Sequence, residues 1–180
     1  MKKFVLYIAM SIDGYIATHD NDISWLSIVE REGEDYGYND FIQSVDTVIL
    51  GRKTYTKVLS IADTFPHKDK TTYVLSKTLQ GDDANVTFYN GDIATLLQII
   101  REKNTEGTIF CDGGADIVQQ CLHTHLFDTI IISVIPLLLG GGVRLFSGEY
   151  PLQRMELFRS STFPSGLVQL WYKKYQEVDN

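Results

Sequence analysis

The clearest local signal in the sequence is a strand that passes through glycine into a helix: Val48-Ile49-Leu50-Gly51-Arg52-Lys53-Thr54-Tyr55. The apolar first half predicts a buried strand, and residues 52–59 then carry apolar side chains at helical spacing. A helix that starts after such a glycine turns its first backbone N–H groups outward, with the positive end of the helix dipole behind them. The side chains of Arg52, Lys53 and Thr54 add positive charge and a hydroxyl there. The stretch therefore predicts either a phosphate-binding helix start or a solvated basic one, and both interpretations stay open.

The same alternation of strand and helix continues along the chain. Strands are predicted at residues 4–12, 47–50, 71–75, 86–89, 108–111, 129–135, 155–163 and 167–175. Helices are predicted at residues 38–45, at 52–59, after the N-cap Asp92, and after Gly113-Gly114. Residues 129–135 are almost continuously apolar, which is typical of a central strand buried on both faces. The last two strands meet at Pro164-Ser165-Gly166, a hairpin.

This pattern predicts an α/β fold with a mostly parallel central sheet, helices on both faces and an antiparallel C-terminal hairpin. The chain has 180 residues and a mass of 20.4 kDa, and lengths of about 100–200 residues usually form one domain. No repeat or linker divides it, so we predict a single domain over residues 1–180.

Composition excludes several classes of protein. Sixteen basic and 23 acidic residues give a formal net charge of −7, which argues against non-specific binding to nucleic acid or to an anionic membrane. Cys111 and Cys121 cannot form a disulfide framework. The apolar N-terminus reaches Asp13-Gly14 without a signal-peptide cleavage site. We therefore predict a cytoplasmic protein with no nucleic-acid or membrane partner. No metal site is expected either, because no cysteine or carboxylate cluster surrounds His123 and His125.

Two further strand ends carry residues suited to a nucleotide. Gly113 and Gly114 would let the backbone approach a ligand closely, and tight packing of a helix on the sheet accounts for them equally well. Ser76 and Lys77 supply a hydroxyl and a cation, which suit the 2′-phosphate of NADP better than the 2′-hydroxyl of NAD; the alternative is an ordinary turn. Because parallel strands end at one edge of a sheet, we expect these residues to lie beside Gly51.

Five motifs occur in an order that resembles a known superfamily. They are Ser11-Ile12-Asp13-Gly14-Tyr15-Ile16-Ala17, Gly51-Arg52-x-Thr54, Val74-Leu75-Ser76, Asp112-Gly113-Gly114 and Ile135-Pro136-x-x-Leu139-Gly140-x-Gly142-x-x-Leu145-Phe146. Together they resemble the dihydrofolate-reductase-like superfamily, closest to the branch that contains the reductase domain of bacterial riboflavin biosynthesis and its single-domain relatives. The resemblance runs from Lys3 to Tyr175 and implies a reductase fold that binds NADP(H).

The resemblance also implies roles for individual residues. The cofactor-binding residues would be Gly51, Arg52 and Thr54 at the phosphates, Ser76 and Lys77 near the 2′-phosphate, Gly113, Gly114, Ala115 and Ile117 under the pyrophosphate and nicotinamide, and Ala9, Ile16 and Ala17 at the nicotinamide border. Gly141 and Gly142 follow a buried strand and suit either close ligand approach or a plain turn. Arg144 would meet an anionic substrate or a surface partner. Asp13 is the candidate catalytic residue, with a turn aspartate as the alternative.

Departures from the family pattern limit the substrates that the protein is expected to accept. No single residue among Glu34, Asp35 and Asp40 matches the carboxylate that dihydrofolate reductases carry on their first long helix, and the stretch Phe65-Pro66-His67-Lys68 lacks an arginine for a folate tail. Dihydrofolate is therefore not expected. Deaminase zinc motifs are absent from the sequence, which leaves the riboflavin-pathway substrate open as well.

We predict an NADP(H)-dependent reductase that transfers hydride to a small polar heterocyclic or carbonyl-like substrate of pterin or amino-pyrimidine type. The alternative is a nucleotide-binding module of the same fold without catalysis. Residues 30–35 form an acidic run that we interpret as a solvated face, while Trp25 and Tyr36 belong to a core, a dimer surface or a pocket wall. Aromatic residues in the C-terminal hairpin predict a sheet-based homodimer in which residues 129–135 take part.

Overall fold

Strands and helices alternate along the chain as the apolar pattern predicts. The computed structural model describes residues 1–103 and 106–176, so the predicted span of 1–180 ends outside the described residues. The strands are β1 (Lys3–Ser11), β2 (Tyr15–Ala17), β3 (Val45–Gly51), β4 (Thr71–Leu75), β5 (Gly81–Asp82), β6 (Thr87–Tyr89), β7 (Thr108–Gly113), β8 (Thr129–Ile135), β9 (Val143–Arg144), β10 (Met155–Thr162) and β11 (Val168–Lys174). The helices are α1 (Tyr38–Ser44), α2 (Arg52–Ile61), α3 (Ile93–Lys103) and α4 (Ala115–His123), and a 3₁₀ helix spans Ser24–Val29. Within the described ranges, no helix is long and apolar enough to cross a membrane.

The main sheet has the strand order β10-β11-β8-β1-β7-β3-β4-β6-β5. The strands from β8 to β6 in that order pair in parallel. At the two ends of the sheet, β10, β11 and β5 pair antiparallel with their neighbours. The predicted mostly parallel sheet with an antiparallel C-terminal hairpin is therefore confirmed. Strand β8 is covered along both edges by β1 and β11, so the prediction that residues 129–135 contribute to an edge-to-edge dimer is wrong.

Helices cover both faces of the sheet, because alternate side chains of each strand point to opposite sides. On one face, α3 and α4 pack on residues such as Leu6 and Ile109. On the other face, α1 and α2 pack on residues such as Val48 and Leu50. Both sets of side chains are almost fully buried, and their alternation along single strands identifies two cores separated by one sheet.

A few element boundaries differ from the predicted ones. Val45 begins β3 rather than ending α1, because its buried side chain belongs to the sheet core. Strand β10 ends at Thr162 and has a bulge between Leu157 and Arg159, which no periodicity marks. Strands β2, β5 and β9 have two or three residues each, too few to show a period of two. The predicted N-cap is confirmed: the carboxylate of Asp92 accepts the Thr95 N–H at 2.9 Å.

Candidate functional site

Two glycine-containing connections that lead from a strand into a helix meet at the carboxyl edge of the main sheet. Gly51 connects β3 to α2, and Gly113-Gly114, joined by a cis peptide bond, connects β7 to α4. A Cβ atom added to Gly51 would lie 3.1 Å from Ile117 Cγ1, and one added to Gly114 would lie 3.2 Å from Thr54 Oγ1. The fold therefore brings these five predicted cofactor residues together. We call Gly51 and Gly113-Gly114 the glycine junctions.

The glycine junctions combine helix N-termini with positive side chains. Neither Gly51 nor Gly114 provides a side-chain cap, so the first amide groups of α2 and α4 are left for another acceptor. Arg52 is exposed at the first position of α2, and Ala115 holds the equivalent position on α4. Lys53 Nζ lies 3.8 Å from Asp116 Oδ2, with both side chains exposed. Amide donors and cations in this arrangement suit a phosphate or pyrophosphate group.

Ser76 and Lys77 follow β4 at the same edge of the sheet. Leu75, the last residue of β4, pairs with Gly51 of β3, so the two predicted residues come directly after the neighbouring strand end. Ser76 Oγ accepts the N–H groups of Thr78 at 3.3 Å and Leu79 at 2.9 Å. Its side chain therefore shapes a turn, and Lys77 is exposed beside it.

Asp13 ties two distant segments together. Its carboxylate accepts the Ser11 hydroxyl at 2.6 Å and the backbone N–H groups of Leu139 and Gly140 at 3.0 and 2.7 Å. The Ser11 hydrogen bond, followed by the two backbone hydrogen bonds, lowers the pKa of Asp13 to about 2. The carboxylate is therefore ionised at neutral pH and fully engaged, so its visible role is to hold the 139–142 segment beside the end of β1.

The 139–142 segment packs against β2. Gly142 has a φ of +134°, and an added Cβ would collide with the carbonyl oxygen of Ala17. Gly141 packs on His19, since a Cβ there would lie 3.0 Å from Nε2 of His19. Close backbone packing therefore explains Gly142, and its predicted contact with a substrate remains a prediction.

Arg144 and Ile16 lie in the same region. Tyr15 of β2 pairs with Arg144 of β9, and the Arg144 guanidinium lies 4.7 Å from the centre of the Tyr15 ring. Ile16 packs against the core beneath α3 and α4. Arg144 is exposed, so its two predicted roles, contact with an anionic substrate and a surface salt bridge, both remain predictions.

A cavity of about 310 Å³ opens between β1, β8 and the segment 24–38. Tyr7, Tyr36 and Tyr38 line it, and we call it the tyrosine cavity. Ala9, predicted to border the nicotinamide, lines it too. The neighbouring residue Ile8 faces the glycine junctions, because a Cβ on Gly113 would lie 3.5 Å from Ile8 Cδ1. The tyrosine cavity and the glycine junctions are therefore adjacent across β1.

A buried hydrogen-bond network supports the floor of the tyrosine cavity. Gln169, which is 1% exposed, donates through Nε2 to Tyr7 Oη at 2.8 Å and to Ser133 Oγ at 3.1 Å. Trp171 Nε1 donates to Gln169 Oε1 at 2.8 Å, and Tyr7 Oη donates to the Tyr36 carbonyl at 3.1 Å. Burial raises the pKa of Tyr7, so its phenol stays neutral.

The sequence reasoning singled out none of Tyr7, Ser133 and Gln169 as functional residues. One signal was available, because Ser133 interrupts the apolar run of β8 and a buried hydroxyl needs a partner. The acidic run 30–35 is exposed as predicted, and Glu30, Glu34 and Asp35 also line the tyrosine cavity.

The structure gives different locations to the remaining aromatic and acidic candidates. Tyr36 is a pocket wall, and Trp25 packs with Val29 in the small core behind it. Asp35 caps the segment before α1 by accepting the N–H groups of Gly37 and Asn39. Asp40 is exposed on α1, and the cavity is lined without it.

The sheet order, the glycine junctions and the adjacent cavity define a dihydrofolate-reductase-like domain. A solved dihydrofolate reductase from Enterococcus faecalis, in complex with NADP(H), superposes with a TM-score of 0.67 at 15% identity over 97% of both chains. The chain belongs to the RibD C-terminal domain family, whose model matches residues 2–169.

The chain is also similar to a curated relative and to further solved structures. The uncharacterized protein YwjB of Bacillus subtilis is 46% identical over 173 residues, which is 95% of this chain and 97% of YwjB. A solved Shewanella sp. PV-4 protein, provisionally assigned to riboflavin biosynthesis, has a TM-score of 0.88 at 29% identity and covers 97% of this chain and 99% of its own. A Thermotoga maritima diaminohydroxyphosphoribosylaminopyrimidine deaminase/5-amino-6-(5-phosphoribosylamino)uracil reductase has a TM-score of 0.71 at 13% identity, and 97% of this chain matches 57% of that one.

Proposed function

We propose that the protein is an NADP(H)-dependent reductase that passes hydride to a small heterocyclic or carbonyl-like substrate of pterin or amino-pyrimidine type. The observation that carries this proposal is the convergence of the two glycine junctions beside the tyrosine cavity. The glycine junctions suit a dinucleotide and the tyrosine cavity suits a small planar substrate. Strand β1 lies between the two sites. Membership of a reductase family supports the same reaction.

The residues at the glycine junctions fit the cofactor. The absence of side chains at Gly51 and Gly114 lets the two strand-to-helix connections pack closely, so that the N-termini of α2 and α4 lie together and offer amide donors to the pyrophosphate. Arg52 and Thr54 would hold phosphate oxygens, and Lys77 with Ser76 would meet the 2′-phosphate. When bound, NADPH supplies the hydride. Ala9 lines the tyrosine cavity and Ile8 beside it faces the glycine junctions, so this part of β1 would set the distance between the nicotinamide and the substrate.

In this scheme Asp13 acts as a positioning residue. It holds the 139–142 segment beside the nicotinamide border formed by Ile16 and Ala17. Its carboxylate already accepts three hydrogen bonds, which favours positioning over proton transfer. We further propose that the protein acts in the cytoplasm, where the buried free thiols of Cys111 and Cys121 are usual.

The test is thermal unfolding with NADPH and with NADH, followed by NADPH oxidation over a panel of pterins and amino-pyrimidines. A ligand at 100 times its Kd adds about 2.7 kcal/mol, which raises the Tm by about 5–11 °C in a chain of this size. We expect that rise with NADPH and a much smaller one with NADH. Arg52→Ala should remove most of it, whereas the control Lys3→Ala, at the opposite edge of the sheet, should not.

The outcomes separate the alternatives. Equal shifts with the two nucleotides would remove the roles of Ser76 and Lys77 but keep the cofactor site. Binding of NADPH without turnover of any compound in the panel would favour the non-catalytic nucleotide-binding module. No shift with either nucleotide would contradict the proposed function.

A further inference from the structure

The charges around the tyrosine cavity point to a narrower class of substrate. Resting on the proposed reductase function, we propose that the cavity selects an uncharged or cationic planar heterocycle that carries no phosphate group. This differs from the phosphoribosyl compound named for the Thermotoga maritima enzyme. The proposal rests on the charges at the rim, the groups on the floor and the size of the cavity.

The rim of the cavity is predominantly acidic. Of the described residues that line it, Glu30, Glu34 and Asp35 are carboxylates and Arg31 alone is a cation. The Arg31 guanidinium donates to the backbone carbonyl of Glu30 at 2.7 Å and to that of Ile28 at 3.4 Å. Arg31 is therefore turned to its own main chain. A phosphate group, with a charge of about −1.5 to −2 at pH 7, would meet mainly repulsion.

Two of the rim carboxylates accept hydrogen bonds from the backbone. Asp35 accepts the N–H groups of Gly37 at 2.9 Å and Asn39 at 3.0 Å, and these bonds lower its pKa. Glu34 accepts the Tyr36 N–H at 2.8 Å. The negative charge at the rim is therefore a fixed part of the local turn structure.

The two phenols on the floor of the cavity, Tyr7 and Tyr38, both have raised pKa values, although the hydrogen bond from Gln169 and the charge of Arg159 oppose the rise at Tyr7. Burial chiefly raises the pKa of Tyr7, and the charge of Asp35 adds to that effect. Burial likewise raises the pKa of Tyr38, with a further contribution from Asp112 at the end of β7. Both phenols therefore stay neutral; the Tyr7 hydroxyl donates to the Tyr36 carbonyl, which leaves Tyr38 as the phenol that can donate to a ligand.

Two arginines in the region are directed elsewhere. Arg144 lies over the ring of Tyr15, and Arg159 lies 5.0 Å from the centre of the Trp171 ring. In the described chain, neither belongs to the lining of the cavity. Among the described lining residues, a phosphate that entered the cavity would therefore meet Arg31 as the one side-chain cation, and that guanidinium already donates to the carbonyls of Glu30 and Ile28.

The size and polarity of the cavity suit a ring system without a tail. Its volume of about 310 Å³ is at the low end of the roughly 300–1,000 Å³ of ligand pockets. Tyr7 and Tyr38 meet edge to face with ring centres 5.6 Å apart, and they offer aromatic surface to a planar ligand. The hydroxyl of Tyr38 makes no hydrogen bond within the described chain and is free to donate to a ring carbonyl or nitrogen.

The test compares one compound with and without its phosphate. Calorimetry on the full chain measures the Kd of 5-amino-6-(5-phosphoribosylamino)uracil and of its dephosphorylated form, each with NADPH absent and present. We expect the dephosphorylated compound to bind about tenfold more tightly in 0.1 M salt. That ratio should shrink in 1 M salt, where the Debye length falls from about 10 to about 3 Å.

A charge-neutral variant pair assigns the effect to the rim. Glu30→Gln combined with Glu34→Gln should reduce the ratio at least threefold, whereas Glu32→Gln, in the same acidic run but outside the cavity lining, should leave it unchanged. Equal or tighter binding of the phosphorylated compound would overturn the inference, and so would failure of both compounds to bind. Because the NADPH-induced shift is measured separately, either result leaves the proposed cofactor site standing.

Discussion

Asp13 joins segments that lie 126 residues apart in the sequence, and it does so with one carboxylate. Asp13→Asn keeps a single acceptor oxygen and so cannot satisfy both the Leu139 and Gly140 N–H groups. We expect kcat to fall about tenfold or more, because the 139–142 segment would no longer be held beside the reacting centre. The Kd for NADPH should change less than threefold, because the glycine junctions are untouched. Steady-state kinetics and calorimetry measure the two quantities, and equal losses in both would identify Asp13 as a structural turn residue.

The pH dependence of stability provides a second readout for Asp13. The folded-state pKa of about 2 lies below the usual value of 3.8. The carboxylate therefore stabilises the fold fully above pH 4, and this contribution is lost as the pH falls from 4 towards 2. The Tm difference between the wild type and Asp13→Asn should be constant from pH 7 to 5 and shrink below pH 4. A difference that stays constant down to pH 2.5 would contradict the assigned hydrogen bonds.

At the scale of secondary-structure elements, the spacing between α2 and α4 defines the glycine junctions. Gly51→Ala is compatible with the backbone but places a methyl group 3.1 Å from Ile117 Cγ1, so the Ile117 side chain on α4 must shift to accommodate it. We expect NADPH affinity to fall about tenfold. Adding Ile117→Ala removes the colliding group and should restore most of the affinity, although it costs about 2–5 kcal/mol of stability. If affinity losses simply add in the double variant, the two elements do not meet at the cofactor.

At the scale of the whole molecule, β10 forms one edge of the main sheet, and no described strand pairs with its outer side. It carries Leu157 and Phe158, each 48% exposed, and an apolar edge strand of this kind needs a cover. We expect a homodimer through this edge, with twice the 20.4 kDa chain mass by light scattering at micromolar concentration. Leu157→Lys should shift the mass to that of the monomer without lowering the Tm of the monomer. A monomeric wild type would exclude this homodimer.

Much of the fold can be predicted from local patterns in the sequence. Apolar residues at a period of two or near 3.6 mark the longer strands and helices, because burial on one face imposes those periods within a few residues. The glycine junctions can also be predicted locally, because a strand, a glycine and the start of a helix follow one another directly in the chain. The position of Ser76 and Lys77 at the same carboxyl edge as Gly51 is also predictable, because parallel strands end together.

The cavity and the loop contacts depend on non-local pairing. Tyr7, Ser133 and Gln169 meet only because β1, β8 and β11 are neighbours in the sheet, and no local period encodes that neighbourhood. The partners of Asp13 are backbone amides, which carry no residue-specific signal in the sequence. The sequence predicts that the acidic run 30–35 is a solvated face, because a run of charged residues indicates exposure to solvent without any information from distant segments. Its position at the rim of a cavity comes from the packing of the 24–38 segment on β1 and β8, and contacts between remote segments are set by the sheet order rather than by the residues within each segment.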